Sequence, residues 1–175
     1  FNANRHRFQD YFIDKIYLED NGNWTVLAEQ RIERSNFAEI EFNDLLVLQI
    51  APELGNVRRI MRIVKRQVGW QGDWTIYSFK AMRHAGKTYV TFNDNPANYA
   101  STDGNQPIQP YNGGATKIMM YSISSSGILQ PFDLSPLARS KRVRAIWPSR
   151  CHQNGNRGAL LYGEQIGSDG ATGLL

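Results

Sequence analysis

The most restrictive feature of this chain is a pair of alternating segments joined by a turn. Phe12 to Leu18 reads as one strand, Glu19-Asp20-Asn21-Gly22 interrupts it, and Trp24 to Ile32 reads as its partner. Extended side chains alternate between two faces, so Trp24, Val26, Ala28 and Ile32, which share one parity, belong to one face of a sheet. Asn-Gly supplies the positive φ angles of a tight hairpin turn. A hairpin at this position sets the N-terminal part of the chain on an antiparallel course.

Further segments repeat the pattern. Phe37 to Phe42 places Ile40 and Phe42 opposite Glu39 and Glu41, and Leu45 to Ile50 is a short apolar run of the kind a buried strand requires. Trp74 to Phe79 and Thr88 to Phe92 are rich in β-branched and aromatic residues, which suit a pleated surface. Lys117 to Ile123, Gly127 to Phe132 and Lys141 to Trp147 read as strands too, and Ser135-Pro136 has the form of a helix N-cap followed by proline. Between them, Val57, Ile60, Met61, Val64 and Val68 recur at helical spacing, so a basic amphipathic helix is expected there, with a strand as the alternative.

From Asn93 to Thr116, Pro96, Pro107 and Pro110 with several Gly and Asn residues oppose regular structure, which predicts a long loop. After Pro148 the chain is polar and glycine-rich, and only Ala159 to Tyr162 has the makings of a strand. No repeat of 20 to 50 residues is visible, which disfavours solenoids and propellers. The expected fold is mainly β, an antiparallel β-sandwich or jelly-roll-like barrel with one or two short helices and long loops. Residues 1–150 are expected to form one β-rich domain and residues 151–175 a glycine-rich tail or arm.

Composition bounds function only loosely. Hydrophobic residues make up 41% and charged residues 21%, ordinary globular usage that supports a packed core. The longest apolar run, Leu45 to Ala51, is broken by Gln49 and falls far short of the ~20 residues a membrane helix needs. Cys151 is the one cysteine, so an intrachain disulfide and Cys₄ or Cys₂His₂ zinc sites are excluded. Compartment cannot be read from it. Asn23-Trp24-Thr25 forms a glycosylation sequon at a turn.

The sequence carries no catalytic signature and no cofactor motif. Gly86-Lys87-Thr88 resembles the end of a phosphate-binding loop, but the required upstream glycine is Ala81 and a strand follows where a helix is needed. His6, His84 and His152 have no ligand or base at local spacing. Cys151 and His152 are adjacent on an extended segment, which sends their side chains to opposite faces. Glu39 and Glu41 share a strand face, more consistent with a solvated edge or a partner-facing surface than with paired catalytic acids.

Charge is distributed unevenly around the net +4. Arg58, Arg59, Arg62, Lys65 and Arg66 form one basic cluster, and Arg139, Lys141, Arg142 and Arg144 a second, while Glu33, Glu39, Glu41, Asp44 and Glu53 gather in an acidic stretch. Three functions follow as expectations. The first is a non-enzymatic structural or assembly subunit, a virion or other particle component, that self-associates through charged faces and extended arms. Its partners are copies of itself or other structural subunits. The second is nucleic-acid binding through the two basic clusters, whose cations release counterions on meeting phosphate. The third is a carbohydrate- or ligand-binding sandwich that uses Trp70 and Trp74, with Tyr99 or Tyr111, as stacking platforms.

Overall fold

The computed structural model describes residues 10–34, 39–53, 55–70, 75–100, 107–153, 159–165 and 171–174. The N-terminal half forms an antiparallel meander of β1 (Tyr11–Leu18), β2 (Trp24–Arg34), β3 (Glu39–Ala51) and β4 (Asn56–Ile63), with β5 (Gln67–Trp70) returning to pair with the first residues of β3. A second meander follows from β6 (Lys80–His84), β7 (Lys87–Asp94), β8 (Lys117–Ile123) and β9 (Leu129–Asp133). The helix α1 (Ser135–Ser140) then leads to β10 (Val143–Ile146), which pairs with β12 (Ala159–Gln165). That strand also pairs with β11 (His152–Gln153) and β13 (Ala171–Leu174).

The two meanders pack face to face. Leu27, Leu45, Val47, Met61 and Ile63 of the first sheet meet Ala81, Val90, Phe92, Met119 and Ile123 of the second, with Phe79 just before β6. Burial of each large apolar side chain is worth about 1.5–3 kcal/mol, so this layer is the main source of stability. A smaller cluster of Ile118, Ala138, Val143 and Ile146 seats α1 and β10 against β8. Asn93 ties the parts together: its amide donates to the carbonyls of Ile76 and Ile146, and its oxygen accepts from the Ile146 N–H. Within each meander, strands adjacent in space are adjacent in sequence, so the mainly β fold is a sandwich of meanders, without the interleaved strand order of a jelly roll.

The first hairpin forms where expected, with Leu18 opposite Trp24. Its turn differs in one respect: the positive φ is confined to Gly22, at 79°, and the Gly22 N–H bonds back to the Glu19 carbonyl. Lys87 to Asp94 is a strand, and the Gly86-Lys87 pair sits at a hairpin turn in which Ala85 and Gly86 both have positive φ. Leu45 to Ile50 is not a separate strand from the acidic segment before it. Both belong to the 13-residue β3, bent where the register slips between the Glu29–Leu45 and Arg31–Phe42 pairs.

Four expectations are corrected. Val57 to Val68 forms no helix; it is β4, a short extended link and the start of β5, and Met61, Ile63, Lys65 and Gln67 alternate into the protein. The strand expected up to Phe79 is replaced by turns over residues 75–78, because Ser78 takes a φ of 66° and bonds to side chains in place of a neighbouring strand. Ser135 lies inside α1, and its hydroxyl accepts the Ile118 N–H instead of capping the helix. The C-terminal segment pairs more extensively than expected: β12 runs from Ala159 to Gln165, and its Gly163, Glu164 and Gln165 pair with β10.

Candidate functional site

The first sheet has two apolar faces, and only one of them meets the second sheet. Strand register defines the other as three cross-strand rows. Leu18, Trp24, Ile50 and Val57 form the first, Ile16, Val26, Leu48 and Ile60 the second, and Ile13, Ala28, Leu46 and Arg62 the third. The parity shared by Trp24, Val26 and Ala28 is therefore the outward one, while Leu27 and Glu29 point into the sandwich. Val26, Ala28 and Leu46 in the middle of this outer face are buried. Ile13, Ile16, Leu18, Trp24, Val57 and Ile60 around them are 44 to 64% exposed. The charged residue of the third row, Arg62, is matched locally: its Nε donates to Asp44 Oδ2 at 2.6 Å.

The first basic cluster is dispersed by the strand geometry. Lys65 is fully buried against Glu29, Arg66 faces Glu41 at 3.7 Å, and the Arg59 guanidinium donates to the Gly127 carbonyl at 2.8 Å. Only Arg58 is exposed with no side-chain partner among the described residues. The acidic stretch is matched in the same way, with Glu41 Oε1 at 2.6 Å from Arg34 and Asp44 held by Arg62. Charges that read in sequence as opposed faces are thus largely paired within the chain.

The second cluster is different. Arg139, Lys141 and Arg142 stand exposed around the end of α1, and no side-chain partner engages them among the described residues. Arg142 holds a φ of 58°, which turns the chain sharply into β10. Arg144 lines the same cavity as Arg139 but is engaged, donating to the Gly113 carbonyl at 2.7 Å and lying 3.9 Å from Glu164. No hydrogen bond or ion pair joins the two clusters among the described residues.

The aromatic candidates separate. Trp70 ends β5 and is 64% exposed, Trp74 lies outside the described residues, and Tyr111 is buried against Tyr77. Tyr99 is partly buried, donates its hydroxyl to Asp94 at 2.7 Å and carries the Lys117 ammonium over its ring at 4.6 Å. Neither tyrosine offers an open ring face. Cys151 is buried, and burial raises its thiol above the ordinary value, while His152 is exposed beside Tyr162. Among the described residues no three His, Cys, Asp or Glu side chains converge as a metal site. No described helix is long and apolar enough to cross a membrane.

The outer face escaped the sequence reading because the Trp24 to Ile32 alternation shows one apolar parity without showing which side of the sheet it takes. The signal was present in β3, whose run Leu45-Leu46-Val47-Leu48 is apolar at both parities. Such runs are the mark of a strand covered on both faces. Comparisons with protein families, curated proteins and solved structures return no match for this chain. Its class is therefore set by its own architecture: a mainly β, antiparallel sandwich whose first sheet carries six exposed apolar side chains on its outer face.

Proposed function

We propose that this chain is a structural subunit that self-associates into a larger assembly. The observation that supports this reading is the outer face of β1 to β4, where six large apolar side chains stand 44 to 64% exposed on one sheet. Isolated apolar residues on a surface are ordinary, but a contiguous sheet face of them is the mark of an interaction site. Charged faces contribute less than the sequence suggests, since Arg62, Arg66, Glu41 and Asp44 are engaged within the chain. A virion or other particle shell is the finer form of the same proposal. Sedimentation velocity of the purified chain across micromolar concentrations tests it: oligomers at moderate salt are expected, and a strict monomer at the highest concentration refutes it.

A second reading, nucleic-acid binding, is favoured by one specific observation. Arg139, Lys141 and Arg142 form an exposed cationic group with no side-chain partners among the described residues. Binding there falls steeply with salt, and Arg142→Glu weakens it several-fold. Unchanged affinity in Arg142→Glu removes this reading.

A further inference from the structure

The outer face of the first sheet has the size and chemistry of one half of a symmetric interface. Four strands about 4.8 Å apart and three rows about 6.8 Å apart make a plate of roughly 400 Å². A standard interface buries about 800 Å² per partner, of which somewhat more than half, roughly 450 Å², is apolar. The face is of the same order as the apolar area that a stable contact uses, and what it offers to a partner is its six exposed side chains, since Val26, Ala28 and Leu46 between them are already buried.

Its charge narrows the occupant. The charged side chain in the three rows, Arg62, is neutralised by Asp44 of the same chain, with Nε to Oδ2 at 2.6 Å. A highly charged partner therefore finds no unmatched charge within the rows to grip. An identical face meets no like charge to repel it. A second copy is also the partner that every molecule already carries, and closed two-fold pairs are the commonest symmetric assembly. Sheets pack face to face about 10 Å apart with strands within about 30° of alignment, a geometry open to a four-stranded antiparallel face.

We infer that two copies of this chain pair sheet on sheet through the outer face of β1 to β4, forming a closed two-fold dimer. This rests on the self-association proposed above and specifies its surface and its closure. In the paired state Ile16 and Ile60, on the two outer strands of the middle row, pass from solvent into the contact.

The test is sedimentation equilibrium of the full chain and three variants: Ile16→Lys, Ile60→Lys and Ile128→Lys. Ile16 and Ile60 are 53% exposed and Ile128, between β8 and β9, is 64% exposed, so each lysine can be solvated without entering the core. Circular dichroism and thermal unfolding report whether each variant is folded. The expected result is a wild type of even copy number, a halving of mass for Ile16→Lys and Ile60→Lys, and no change for Ile128→Lys. An oligomer that survives both face variants overturns this interface and leaves self-association standing. A monomeric wild type overturns both. Equal dissociation by Ile128→Lys also overturns the assignment to this face.

Discussion

The Lys65 ammonium lies 2.7 Å from Glu29 Oε1 in the centre of the sandwich, and neither side chain has any exposure to solvent. The contact pairs the two charges directly, and the ammonium also donates to Gln67 Oε1 at 3.0 Å and the Phe42 carbonyl at 3.4 Å. Glu29 Oε2 accepts from Arg31 Nε at 2.9 Å and from Ser78 Oγ at 2.7 Å. Burial pushes Lys65 below its ordinary pKa, opposed chiefly by the charge of Glu29. Four segments distant in sequence are joined by this one group: β2, β3, the stretch from Lys65 into β5 and the turn at Ser78.

Removing one partner strands the other as an unpaired buried charge. Lys65→Met and Glu29→Leu should each lower stability by about 3–5 kcal/mol, whereas the double variant should lose clearly less than their sum. Urea unfolding of the four proteins gives the coupling energy directly. Strictly additive losses would show that the two residues stabilise the fold independently.

The same network explains what was and was not legible in the sequence. The first hairpin was readable because its turn and its alternation are local. Val57 to Val68 was not, because Lys65 and Gln67 occupy inward positions of an alternating strand. Their buried state depends on Glu29, Ser78 and Asn93, far away in sequence. Meanwhile Val57, Ile60 and Val64 are apolar and exposed, so the apolar residues alone imitate a helical period. Similarly, β12 was only half legible: its glycine lowers strand propensity, yet Gly163 is required there by the close approach of Ala145.

Asp94 gives a pH signature. Burial raises its carboxyl above the ordinary value, against hydrogen bonds from Tyr99, the Asn95 N–H and the Asn98 amide and the charge of Lys65. The folded chain therefore holds a proton at pH values where the unfolded chain has released it. Between the unfolded value near 3.8 and the raised folded value, stability from this group falls as pH rises. The slope inside that window reaches at most about 1.4 kcal/mol per pH unit. In Asp94→Asn this contribution is absent, so the stability of wild type minus variant should decline as pH rises above about 4. Parallel pH profiles for the two proteins would contradict the assignment.

Gly163 tests the docking of the C-terminal strands. A Cβ there would stand 2.4 Å from the Ala145 carbonyl oxygen and 2.5 Å from Val143 Cγ1, and a backbone atom cannot simply withdraw. Gly163→Ala should cost about 1–3 kcal/mol and loosen β12 from β10. The Trp147 N–H, which donates to the Tyr162 carbonyl at 2.7 Å, should then exchange with solvent much faster, while amides of β3 and β7 keep their protection. Hydrogen exchange read residue by residue makes the comparison. Fast exchange at Trp147 already in the wild type would mean that β12 is not held on β10.

Cys151 reports on the same region chemically. Its thiol is buried 3.2 Å from the Trp147 carbonyl, burial raises its pKa, and His152 turns outward, so among the described residues no neighbouring histidine is placed to form the thiolate. Thiolate is the reactive form, and both its scarcity and its inaccessibility slow attack on a reagent. A disulfide reagent at pH 8 should therefore modify the native chain at least about 100-fold more slowly than the urea-unfolded chain, which should take up one equivalent. Because β12 covers this cysteine through the Tyr162 carbonyl, 3.8 Å from the sulfur, Gly163→Ala should accelerate the native reaction. Rapid modification of the native wild type at neutral pH would instead restore Cys151 as a nucleophile and set the non-enzymatic reading aside.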